Sequence, residues 1–169
     1  DVYGIDSRVY DIARGLGEFA RYGRWEKAID AVSKSVDEYF KVRDAIEGER
    51  VVQTAMCSLL KVAHGPYIVN HEPEAGRGFV DIALAPQLER YPNIAWAMMI
   101  ELKYLKREDD ASPDALAAIR AEAIRQLDRY AADHDLARAW GLESSGGHVK
   151  LVRLVIVFQG GDRVLCEAV

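Results

Sequence analysis

Three side chains able to do chemistry stand in one stretch, GRGFVDIALAPQLERYPNIAWAMMIELK (Gly76–Lys103): Asp81, Glu101 and Lys103. Glu101 and Lys103 are two residues apart in the apolar run Ala95–Leu105, so a strand puts both on the face of Ala97 and Met99. A carboxylate and an ammonium there cost several kcal/mol, roughly, unless each other, a metal ion or water compensates them. In Phe79–Ala85 the same alternation puts Phe79, Asp81 and Ala83 on one face, with Val80, Ile82 and Leu84 on the other. If the two strands are neighbours, Asp81 brings a second carboxylate to Glu101.

Hard cations such as Mg²⁺ or Mn²⁺ take oxygen ligands and accept one or two carboxylates completed by water and substrate phosphate. Asp81 and Glu101 meet that need, and the backbone carbonyl of Leu102 can add a ligand. Lys103 can orient the attacking water or offset charge on a phosphate in the transition state. These parts suffice for phosphodiester hydrolysis. A charged pair at a solvated sheet end would account for Glu101 and Lys103 but not for Asp81. A glycosidase acid–base pair would leave Lys103 unused.

The surrounding elements must hold these groups. Residues 6–22 carry Val9, Ile12, Ala13, Leu16, Phe19 and Ala20 at helical spacing, and Trp25 to Phe40 carries Ala28, Ile29, Val32, Val36 and Phe40. Together they predict a helical hairpin closed around Tyr22-Gly23. A third helix is expected over about Gly48–Ala63, with Glu47 and Glu49 at its electropositive start and His64-Gly65-Pro66 as its stop. Tyr67–His71 reads as a strand, and Glu72–Gly78 as a polar turn into the Asp81 strand, together an antiparallel hairpin. Ser112-Pro113-Asp114 is a strong helix start: an N-cap, a first-turn proline and an acid at the dipole. That helix runs to about Ala132 with an inner stripe of Leu116, Ile119, Ala123, Leu127 and Tyr130, into which Gln126 falls. Strands are expected at about Val149–Phe158 and, after Gly160-Gly161-Asp162, at Arg163–Glu167. The order is α/β: a mixed sheet flanked by helices, with a right-handed crossover between the Glu101 and Val149 strands.

At 169 residues the chain suits one domain with a small extension. Acidic residues outnumber basic ones 27 to 22, so wide electrostatic grip on nucleic acid is disfavoured and any contact needs a local patch. Arg77, Lys106, Arg107, Lys150 and Arg153 are candidates for it; Arg8, Arg14, Arg21, Arg24 and Lys27 read first as solvated helix faces. Cys57 and Cys166, far apart on apolar faces, read as buried free thiols of a reducing cytoplasm. His64, His71, His134 and His148 lack ligand spacing. No segment has the length of a membrane span. Beginning at Asp rather than Met, the chain reads as a piece of something longer or as one lacking a disordered start.

The pattern Asp81 … Glu101-Leu102-Lys103, on two strands behind a helix and a strand, resembles the PD-(D/E)XK nuclease superfamily. Gln126-Leu127-Asp128-Arg129-Tyr130 is similar to the Q-x-x-x-Y motif of its RecB-like members. Glu74-Ala75-Gly76-Arg77-Gly78 resembles the E-S-G-x-G-R-x-D run of a bacterial subgroup in which the nuclease-like domain follows a predicted AAA-type ATPase domain. Val80 replaces the proline of the family name, and Phe79 stands where the subgroup usually has Arg. The resemblance implies a restriction-endonuclease-like core (αβββαβ) over residues 47–169, preceded by a helical extension over 1–46. It implies Asp81, Glu101 and the Leu102 carbonyl as ligands of Mg²⁺ or Mn²⁺, and Lys103 as the catalytic lysine. Gln126, Tyr130 and Arg77 would contact nucleic acid, DNA in the first instance, and Glu49 would complete the metal shell in the manner of some members. The rival expectation is a catalytically inactive nuclease fold serving as an interaction or regulatory module of a larger ATPase-containing protein.

Overall fold

The computed structural model describes residues 3–42, 48–63, 65–72, 74–75 and 78–169. Three helices come first: α1 (Tyr3–Tyr22), α2 (Glu26–Val42) and α3 (Glu49–Ala63). Strand β1 (Tyr67–His71) and a two-stranded ribbon, β2 (Glu74–Ala75) with β3 (Gly78–Phe79), lead to β4 (Ile82–Pro86) and β5 (Trp96–Leu105). Then follow α4 (Pro113–Ala131), the short α5 (His134–Ala139), β6 (Lys150–Gln159) and β7 (Asp162–Ala168). The main sheet has the order β1-β4-β5-β6-β7. It is parallel at β5–β6, where α4 makes the connection, and antiparallel at the other pairs.

Side-chain alternation assigns the two faces of the sheet. Ile82, Leu84, Met98, Ile100 and Leu102 share a core with Ile12 and Phe19 of α1, Ile29 of α2, and Met56 and Leu60 of α3. Ala83, Ala85, Ala97 and Met99 pack on the opposite face with Ala123, Leu127 and Tyr130 of α4. Small residues on that second face let α4 lie close over β5, the strand carrying Glu101 and Lys103.

The N-terminal hairpin is fastened to the first face. Phe19 stacks on Tyr67 with ring centroids 5.6 Å apart, and the Tyr67 hydroxyl donates to the Trp96 carbonyl at 2.9 Å. The Ala95 N–H donates to the Ala20 carbonyl at 3.0 Å, and Arg163 of β7 reaches Asp30 of α2 at 2.7 Å. At the start of α4, Ser112 caps as its sequence predicts: its Oγ accepts from the Ala115 N–H, and Pro113 takes the first turn. Arg153–Asp128 and Arg120–Glu167 ion pairs tie α4 to β6 and β7.

Two expectations are corrected. The strand predicted over Phe79–Ala85 begins only at Ile82, because the chain bends at Asp81. The alternation therefore does not carry through: Val80 packs with Ala83 and Ala85, not with Ile82 and Leu84, and Phe79 is exposed. The stretch expected as a plain turn between β1 and the Asp81 strand holds the β2–β3 ribbon.

Candidate active site

The sequence puts Asp81 at the entrance to β4 and Glu101 in the middle of β5, and the strand register brings them together. The last antiparallel pair at this end is Ile82 with Ile100, so one step further Asp81 stands across from Glu101. Glu101 projects to the face under α4, where Met99 and Ala97 lie, while the bend at Asp81 turns its carboxylate toward Gln53 of α3 and the Leu102 N–H.

Asp81 is held from two sides. Its Oδ2 accepts from the Leu102 N–H at 2.7 Å, and its Oδ1 accepts from Gln53 Nε2 at 3.2 Å. Its backbone carbonyl accepts from the same Gln53 nitrogen at 3.3 Å and from the Glu72 N–H at 3.1 Å. Gln53 is 4% exposed and lies on α3. The helix in front of the sheet thus fixes the bend at Asp81 and its carboxylate together.

Glu101 is 3% exposed. Its Oε1 accepts from Lys103 Nζ at 2.9 Å, while its Oε2 is buried with no hydrogen-bond partner among the described residues. An orphaned carboxylate oxygen costs its full desolvation unless a ligand supplies the missing charge. Burial raises Glu101 to about 7, helped by the negative charge of Asp81 and opposed by Lys103. Burial likewise raises Asp81 to about 6, against the Leu102 hydrogen bond and the Lys103 charge. For Lys103, burial alone pulls downward, but the hydrogen bond and charge of Glu101 outweigh it and the pKa rises. The ammonium is therefore charged throughout the neutral range.

The donor set fits a hard divalent cation. Asp81 and Glu101 offer carboxylate oxygens, one of them orphaned, and such an ion needs no more than two carboxylates when water and phosphate complete its shell. The N–H and C=O of one strand residue project to the same side, so the Leu102 carbonyl faces the edge on which its N–H meets Asp81. No group of three or more His, Cys, Asp or Glu side chains arranged for a metal occurs among the described residues.

The other expected site residues divide. Tyr130 is buried on α4 against Gly78, where a Cβ would come within 2.9 Å of its ring. Burial raises its pKa, and the charges of Glu101 and Asp81 raise it further. Gln126 lies one turn earlier on the same helix face, its Oε1 buried and without a partner among the described residues. Glu49 is exposed at the start of α3; its charge raises both Asp81 and Glu101, but no hydrogen bond joins it to them. Arg77 lies outside the described residues. Of the expected positive patch, Arg153 is paired with Asp128, and Lys150 sits over Trp96 at the far end of β5 from Lys103. Gln53 is the residue that sequence reasoning missed. It lies beside Val52 and Met56 on the buried side of α3, and only its long-range contact with Asp81 reveals it.

Residues 47–168 match the sequence model of the PD-(D/E)XK nuclease superfamily. No curated protein and no solved structure matches the chain. The match covers most of the chain, including α3, the whole sheet and α4, on which the site is built. With that span and that topology, the chain belongs to the PD-(D/E)XK nuclease superfamily.

Proposed function

We propose that residues 47–169 form a metal-dependent nuclease domain hydrolysing phosphodiester bonds of nucleic acid, DNA first, with residues 1–46 as a helical extension. Nuclease-type function follows from the family. The observation that carries the active reading is the orphaned, buried Oε2 of Glu101 opposite the doubly anchored carboxylate of Asp81. Asp81, Glu101 and the Leu102 carbonyl would hold Mg²⁺ or Mn²⁺. The cation, when bound, supplies Lewis-acid charge for the scissile phosphate and for the water that attacks it. The Leu102 N–H and the Lys103 charge favour the ionised form of Asp81 against its burial, and Gln53 helps to orient it. Lys103 stays protonated, leaves Glu101 for the phosphate, and donates to the oxygen on which charge grows. Gln126 and Tyr130 line the approach under α4 and contact substrate; Arg77 and Glu49 are assigned supporting roles, to phosphate and to the cation's outer shell.

The test is cleavage of labelled DNA by purified protein with and without Mg²⁺ or Mn²⁺. Activity should require metal and fall at least about a hundredfold in Lys103→Ala, the scale of losing a transition-state donor, with folding unchanged. Full activity in Lys103→Ala removes the assigned mechanism. The second reading is an inactive nuclease fold used for protein interaction or regulation. It is favoured by the want of a third acidic or histidine ligand among the described residues and by the net charge of −5. It predicts no cleavage and no specific metal binding.

A further inference from the structure

The end of the sheet where β5 and β6 begin collects a set of groups that the cleavage site does not use. Arg24 lies over the Tyr22 ring at 5.4 Å, Arg90 over the Tyr91 ring at 5.4 Å, and Lys150 over the Trp96 ring at 5.3 Å. They belong to one place. Trp96 pairs with Lys150 across β5–β6 and packs under Gly23 in the α1–α2 turn, and the Ala20 carbonyl binds the Ala95 N–H. Beside them opens a cleft of about 690 Å³ lined by Arg21, Arg90, Tyr91 and Asn93 over a floor of Pro66 and Ile94.

The cations of this surface carry no ion pair among the described residues, in contrast to several on the neighbouring helices and β7. Arg8, Arg14, Lys27 and Arg163 are each engaged by a carboxylate. Arg21, Arg24, Arg90 and Lys150 form no ion pair among the described residues, and the nearby Glu18 is taken by Lys27 at 2.9 Å. Tyr22 is 62% and Tyr91 37% exposed. Unpaired cations alternating with exposed aromatic rings are the components of a single-strand platform: bases stack on the rings while the cations follow the phosphates. A protein-binding surface would need no such excess of unpaired cations, and a duplex would leave the rings unused. From Trp96 to Glu101 is five strand residues, or about 17 Å at about 3.3 Å each. Trp96 packs on the face of α1 to α3 whereas Glu101 shares the opposite face with Ala97 and Met99, so a strand held here passes round the end of the sheet to reach the carboxylates.

We propose that this basic–aromatic end of the sheet binds single-stranded nucleic acid, extending the contact of the chain with its substrate beyond the Asp81–Glu101 centre. The inference rests on the nuclease reading for its purpose but not for its measurement. The experiment is fluorescence anisotropy of a labelled oligo(dT) of about 20 nucleotides in EDTA, so that binding is read without cleavage. Wild type should bind the oligo(dT) more tightly than a duplex of equal length. Arg21→Ala/Arg90→Ala should weaken binding about tenfold or more and flatten the log–log salt dependence by about 1.4, two phosphate contacts at about 0.7 each. Tyr22→Ala/Tyr91→Ala should weaken it about tenfold, one stacked base or more, without changing the salt slope. All of these side chains are exposed, and unchanged melting temperatures of the variants check that they fold. Absence of oligo(dT) binding, equal binding of duplex, or affinities unaltered by both double substitutions overturns the proposal. Metal-dependent cleavage scored in parallel keeps the two readings apart: variants that lose binding in a protein that never cuts refute the nuclease reading alone, and a cutting protein whose binding ignores the variants refutes this surface alone.

Discussion

Glu101→Gln should make the metal-free protein more stable at pH 8. A carboxyl whose ordinary value is 4.5 is held at about 7 by burial and by Asp81. At about 1.36 kcal/mol per pH unit, an ionised Glu101 costs the folded state about 3 kcal/mol. The folded value lies above the unfolded one, so this cost is absent below roughly pH 4, grows as pH rises, and is complete above roughly pH 7. The substitution removes the charge but leaves an amide oxygen to accept from Lys103, now held at 2.9 Å. Lys103 still loses a compensating charge, so the net gain is put at about 1–2 kcal/mol. Urea unfolding followed by circular dichroism in EDTA, from pH 4 to pH 8, measures it. The variant should exceed wild type at pH 8, and the two should converge toward pH 4. A variant less stable at pH 8, or a gap independent of pH, refutes the reasoning that Glu101 is a buried carboxylate held in want of a cation.

Gln53→Leu removes the amide that donates to both the carbonyl and the Oδ1 of Asp81; stability at pH 8 should fall by about 2 kcal/mol and Mn²⁺ affinity about tenfold or more, the usual loss of an outer-shell partner. Ser112→Ala deletes the α4 cap and should cost about 1 kcal/mol in urea unfolding without altering Mn²⁺ binding. Gly23→Ala forces a Cβ to within 2.6 Å of Trp96 at a φ of +72°, and a loss of about 1–3 kcal/mol should lower the melting temperature by several degrees. Cleavage in Mn²⁺ should rise with pH between about 6 and 7, as Asp81 and Glu101 ionise, and stay level above, because Lys103 remains charged.

What could be read from the chain was what local pattern determines. Ser112-Pro113-Asp114 declares the start of α4, and the continuous apolar run from Ala95 declares a strand covered on both faces. Glu101 and Lys103 stand out because they break that pattern. The bend at Asp81 was hidden, because it is set by Gln53 and Glu72, which hold the Asp81 carbonyl from outside the strand. Gln53 itself was hidden by its apolar neighbours Val52 and Met56, since helical periodicity records that a residue is buried and not what it meets there. The same limit applies to charge. The basic residues that gather, Arg21, Arg24, Arg90 and Lys150, come from three separate segments, and only the sheet register and the α1–α2 turn unite them. The short α5, capped by Asp133, and the β2–β3 ribbon are too brief for a periodic signal.

Calorimetric titration of Mn²⁺ into wild type and Asp81→Asn, at pH 7 in two buffers of different ionisation enthalpy, bears most directly on the claim that Asp81 and Glu101 form a cation site. Wild type should bind at one site with release of protons, since both carboxyls sit at about 6 to 7 and must ionise to bind. Asp81→Asn should abolish that binding while the protein stays folded. Equal binding by the two proteins, or wild-type binding without proton release, would contradict it.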